Sequence, residues 1–127
     1  MEFDRGRWTH PLMRRGDIWL FDLEPSQGSE ADKVRPVVIV SNDGANISAL
    51  RTGGGVVTVV PVTSNVSKVL SFQVELDPAH TGLRSASKAQ PEQIRSVSVT
   101  RAITRVGGIR DSEMSRIDEA LRRHLSL

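Results

Sequence analysis

The sequence predicts a mainly β fold finished by a C-terminal helix, a curved or closed antiparallel sheet with that helix packed on it. Three observations carry this. Short runs of branched and aromatic residues recur between turn signals. The final segment alone switches to helical spacing. No apolar stretch is longer than a few residues, as in Val37-Val38-Ile39-Val40, so nothing approaches the ~20 residues of a membrane span.

The elements follow in order. Residues 1–13 show neither helical nor strand periodicity and read as an N-terminal arm. Residues 14–127 read as one domain, consistent with a chain of 127 residues. Residues 17–23 (DIWLFDL) form a first strand, ended by Pro25. Residues 24–34 are polar, include Gly28, and form a long connecting loop of the kind that often carries function. Pro36 opens a second strand whose continuous apolar run suits burial on both faces. Ser41 to Gly44 is a turn, 44–50 a short helix, and Gly53-Gly54-Gly55 a flexible turn with no phosphate-loop lysine after it.

Residues 56–63 (VVTVVPVT) form a third strand, with Pro61 marking an edge or bulge. Residues 71–76 (SFQVEL) alternate, which puts Phe72, Val74 and Leu76 inward and Gln73 and Glu75 outward. A weaker strand is expected at 85–90, a helical turn at 91–97, and a last strand at 99–106, ended by Gly107-Gly108. Asp111 then caps the terminal helix. Met114, Ile117, Leu121 and Leu125 share its apolar face, while Glu113, Arg116, Glu119 and Arg123 cover the other.

Apolar residues are 38% and charged residues 25%, the balance of a globular rather than a disordered chain. Cysteine is absent, which excludes disulfides and thiolate zinc sites and is compatible with a cytoplasmic protein. No apolar leader opens the chain, so no secretory signal is read. The net charge of +2 says little by itself. Its distribution says more: residues 84–110 carry six basic side chains and only one acidic, Glu92. Such a segment suits either a polyanion or a solvated strand surface.

The candidate chemistry narrows by residue type. His10, His80 and His124 share no spacing motif and read as surface residues, so no metal or other cofactor is expected. There is no Gly-x-Ser-x-Gly and no catalytic cysteine. Arginine and hydroxyl groups remain. Arg35 stands where the polar loop meets the buried strand, and its guanidinium can fork two donors onto phosphate oxygens. Thr63, with Ser64, closes the third strand and offers hydroxyls to the same kind of group. Glu30 and Lys33 lie in the preceding loop. RNA carries its own nucleophile, the 2′-OH, so positioning and electrostatics can suffice to cut it. Taken singly, an Arg-Pro at a strand start and a Pro-Val-Thr-Ser strand end are more often structural.

The ordered set is more specific. Arg15-Gly16-Asp17-Ile18-Trp19, Gly28-Ser29-Glu30 and the run from Arg35-Pro36 to Asn42-Asp43 resemble the N-terminal signature of the MazF/PemK toxin family. Pro61-Val62-Thr63-Ser64, Glu92-Gln93-Ile94-Arg95 and the helix around Ile117-Asp118-Glu119-Ala120-Leu121 resemble its later blocks. The resemblance spans residues 14–127. It implies an SH3-like barrel, a homodimer, a cognate antitoxin and a sequence-specific endoribonuclease. It also implies cleavage of single-stranded RNA by 2′-OH attack, leaving a 2′,3′-cyclic phosphate and a 5′-OH. Catalytic roles then fall on Arg35 and Thr63, and substrate contacts on Glu30, Lys33, Ser64 and Gln93. Arg95 leans toward support, and Asp17 and Trp19 belong with the fold.

Two other functions fit a chain of this shape. A CcdB-like toxin would block a protein target such as DNA gyrase, and would not need Arg35 and Thr63 at one groove. A non-catalytic single-strand binder would stack bases on aromatics, yet the chain has only two Trp, three Phe and no Tyr.

Overall fold

The computed structural model describes residues 12–23 and 34–127. Their elements are β1 (Asp17–Asp22), β2 (Val34–Ile39), α1 (Asp43–Thr52), β3 (Val56–Thr63), β4 (Val74–Leu76), α2 (Pro78–Thr81), β5 (Ser87–Ala89), β6 (Arg95–Ser98), β7 (Ala102–Gly108) and α3 (Asp111–Leu125). Short 3₁₀ turns at Pro91–Gln93 and Val99–Arg101 flank β6. The strands run β4-β5-β3-β2-β1-β7, with β6 also on β3, and every pairing is antiparallel. The two ends of this path do not pair among the described residues. The expected mainly β fold with a terminal helix is therefore present as a half-barrel sheet.

Strand alternation divides the core in two. Trp19, Phe21, Val37, Ile39, Val57 and Val59 face one side, covered by Ala49 and Leu50 of α1. Ile18, Val38, Val40, Val60 and Val62 face the other, covered by Ile117, Met114 and Leu121 of α3. This explains the continuous apolar run of β2, which is buried on both faces. Burying side chains as large as Trp19 and Phe21 contributes ~1.5–3 kcal/mol each.

Proline placement fits the ladder. The N–H and C=O of a strand residue point to the same side, and the Pro61 carbonyl accepts from Gln90 N at 2.9 Å. The missing Pro61 donor therefore falls where β6 ends and β5 begins, the break that Pro61 announced in the sequence. Asn42 starts α1, its Oδ1 accepting from Ala45 N at 2.8 Å, and Gly53 closes it at φ 75°.

The start of the domain, Arg14 to Asp17, is a clamp. Arg15 donates to Asp118 of α3 at 2.5 Å and to the Val40 carbonyl at 2.9 Å, while its backbone N donates to Asp43 at 2.7 Å. Asp17 accepts from Arg14 N at 3.0 Å and from Arg105 at 3.1 Å. These residues hold sheet, α1 and α3 together, and Trp19 is 1% exposed, so Asp17 and Trp19 serve the fold as expected.

Several local expectations are corrected. Met13, assigned to the arm, is 1% exposed and packs in the first core. The strand expected from residue 71 begins at Val74: Phe72 is exposed, while Gln73 is buried and accepts from Leu70 N at 2.9 Å. The turn read across 91–97 stops at Gln93, and residues 95–98 form β6 on β3. The last strand starts at Ala102 and includes the two glycines expected to end it. Arg110 occupies the cap position of α3, and Asp111 is its first residue. Glu113 is buried rather than solvated, because His80 of α2 reaches it at 3.0 Å and Arg110 N donates to it at 2.8 Å. The same contact removes His80 from the free surface.

Candidate active site

β2 and β3 pair Ile39 with Val59, Val38 with Val60 and Val37 with Pro61. The pairing ends there; the same register, extended by two residues, brings Arg35 level with Thr63. Directly opposed residues of an antiparallel pair share a face, with Cβ atoms ~4.5–5.5 Å apart. The guanidinium and the hydroxyl therefore project from one side of the sheet. The row continues both ways: Phe21 pairs with Arg35 across β1, and Lys88 of β5 pairs with Thr63, followed by Glu75 of β4. The first core thus gives way, at the end of β2 and β3, to a polar row.

Thr63 is prepared for one role. Its Oγ1 accepts from Asn65 N at 3.1 Å, which engages a lone pair and leaves the hydroxyl hydrogen free to donate. Asn65 in turn accepts from Ser67 Oγ at 2.9 Å, fixing the turn that follows. Lys88 is 9% exposed and donates from Nζ to the Lys68 carbonyl at 2.5 Å, so a cation is held in the strand beside Thr63. Arg35 is half-buried and takes part in no ion pair among the described residues.

Arg35 and Thr63, at the ends of β2 and β3, border a single cleft of about 530 Å³ whose apolar lining, Val62, Leu83 and Val106, belongs to the second core rather than to the face that strand alternation gives residues 35 and 63. Ser64 lies on it as well, exposed at the start of the 64–73 connection. Glu30 and Lys33 fall outside the described residues. Gln93 is exposed on the 3₁₀ turn and does not line this cleft, although Gln90 ties that turn to β3 at Pro61. Arg95, paired with Val59 in the β3–β6 ladder, is exposed. Sequence reasoning missed three further residues lining the cleft, Arg84, Ser85 and Ser87. The basic run beginning at Arg84 was their one signal, and it carried no position.

Among the described residues no group of three or more His, Asp or Glu side chains is arranged to hold a metal ion. No described helix is long and apolar enough to cross a membrane. What the cleft offers is fixed positive charge and hydroxyl donors, the equipment for binding a phosphodiester and for stabilising charge that grows on it.

Comparison with known proteins is consistent with that chemistry. Residues 14–125 match the family described as PemK-like, MazF-like toxin of type II toxin-antitoxin system. The chain is 53% identical over 116 residues to endoribonuclease MazF9 of Mycobacterium tuberculosis, covering 91% of this chain and 98% of that protein. It is 32% identical to endoribonuclease EndoA of Bacillus subtilis, covering 91% and 97%. In fold it is similar to a chain of the MazE–MazF crystal structure (form II) from Deinococcus radiodurans. The TM-score there is 0.73 at 24% identity, covering 92% and 98% of the two chains.

Proposed function

The chain belongs to the PemK-like, MazF-like toxin family of type II toxin–antitoxin systems, and on that premise we propose that it cuts single-stranded RNA at short motifs without a metal ion. One observation supports the reading: Arg35 and Thr63 border one cleft. Relatives matching over nearly their whole length are named endoribonucleases, so a CcdB-like gyrase poison is not favoured.

The reaction needs little from the protein. The ribose 2′-oxygen attacks the adjacent phosphorus and loses its proton to solvent. The bond to the 5′-oxygen breaks, and the leaving oxygen takes up a proton, giving a 2′,3′-cyclic phosphate and a 5′-OH. Arg35 binds the non-bridging oxygens as charge grows on them, and stands as proton donor to the leaving oxygen. Thr63 donates its hydroxyl to the same phosphate, holding it in line with the nucleophile. Ser64 extends this contact. Substrate contacts are assigned to Glu30, Lys33 and Gln93 as well. The partners are RNA, a second copy of the chain and a cognate antitoxin, and the place of action is the cytoplasm. The unit that does this spans residues 14–127.

The test is to incubate the purified protein with long RNA in excess EDTA and sequence the new 5′ ends. Cuts at one recurring short motif are expected. RNA that stays intact with and without added metal overturns the reading.

A further inference from the structure

The loop between α2 and β5 borders the same cleft as Arg35, and it carries a second guanidinium. Arg84, Ser85 and Ser87 border the cleft together with Arg35, Thr63 and Ser64, and among the described residues no carboxylate lines it. Arg84 is exposed and makes no ion pair among the described residues. Arg15 and Arg105, by contrast, are spent on Asp118 and Asp17. Two guanidiniums at one cleft, neither in an ion pair among the described residues, attract a polyanion.

The loop holding Arg84 is braced at both ends. Gly82 takes φ 84°, and a Cβ there would run into the Val106 carbonyl. A Cβ on Gly107 would likewise run into the Thr81 carbonyl. Two glycines thus let the end of α2 lie directly on the backbone of β7. Thr81, fully buried, accepts from Leu83 N at 3.2 Å and donates to the Asp77 carbonyl at 2.9 Å. Leu83 packs against the second core. At the other end, Ser87 Oγ donates to the Ser85 carbonyl at 3.0 Å. These contacts hold the loop backbone that carries Arg84, so binding there does not have to order the loop as well.

We propose that Arg84 is a further RNA-binding residue, gripping a non-scissile phosphate of the strand whose scissile phosphate lies at Arg35 and Thr63. This rests on the nuclease reading. It also specifies what the contact does. A phosphate contact sets register and affinity but reads no base.

The test compares the wild type, Arg84→Gln and Arg84→Lys on an oligoribonucleotide substrate, measuring kcat and KM from about 50 to about 200 mM salt. Arg84→Gln is expected to raise KM about tenfold at low salt, with kcat unchanged. Its log–log salt dependence of kcat/KM should flatten by ~0.7, the increment for one single-strand phosphate contact. Arg84→Lys keeps the charge and should keep the slope. The cleavage motif should be identical in all three. If the wild type cuts and Arg84→Gln shows the same KM and salt slope, the assignment of Arg84 fails while the nuclease reading stands. A changed motif would also overturn it, because it would make Arg84 a base reader. A wild type that cuts nothing removes the nuclease reading, and this inference with it.

Discussion

If Arg35 and Thr63 act on one phosphate, removing both must cost less than the product of removing each. Losing a preorganised charge stabiliser such as the Arg35 guanidinium costs ~10²–10³ in kcat. Thr63→Val keeps the shape and removes one donor to a charged group, ~1.5–3 kcal/mol or about 10–150-fold. Independent effects would multiply to ~10³–10⁵. The β2–β3 register, extended by two residues, places the two side chains on one face of adjacent strands, and neighbours that share a partner couple by ~0.5–3 kcal/mol. The double variant should therefore fall about tenfold short of the product. The assay is single-turnover cleavage of an oligoribonucleotide, with thermal melts to confirm folding. Thr63→Ser is the control, since it retains both the free O–H and the acceptor for Asn65 N. Losses in the two single variants that multiply in the double variant would show that the residues serve different groups, and would refute the reasoning.

Other outcomes follow from the packing and the site. Ile117→Ala empties a fully buried position between α3 and the sheet and should cost ~2–5 kcal/mol, read as a lower urea midpoint. Gly107→Ala forces the Thr81 carbonyl away from β7 and should destabilise by ~1–3 kcal/mol in the same titration. Gln93→Ala, away from the cleft, should lower kcat/KM by about tenfold or less, well short of the Arg35→Ala loss. An equal loss would place Gln93 in the chemistry.

Where the sequence pattern is local, it was legible. The runs that became β1, β2 and β3, the turn before α1 and the apolar face of α3 all follow from periodicity and capping residues. What was hidden depends on contacts distant in the chain. β6 is masked because only Val97 and the half-buried Ser98 lie inward while Arg95 and Ser96 face solvent, leaving too little alternation. Gly107 and Gly108 look like a stop but stay in β7, because the crossing α2 backbone requires a residue without a side chain at Gly107. Glu113 looks solvated on the helix face, and only the arrival of His80 from α2 buries it. The same division runs through the site. Arg35 and Thr63 stood out as residues, but their adjacency needed the strand register. Arg84 could not be joined to them at all until the fold brought its loop to the same cleft.

The most direct measurement concerns the substrate itself. An oligoribonucleotide bearing the cleavage motif is prepared with a single 2′-deoxy nucleotide on the 5′ side of the scissile phosphate. If the ribose supplies the attacking oxygen while Arg35 and Thr63 hold the phosphate, binding should persist and cleavage at that site should vanish. Cleavage at an unchanged rate would mean that the nucleophile comes from elsewhere.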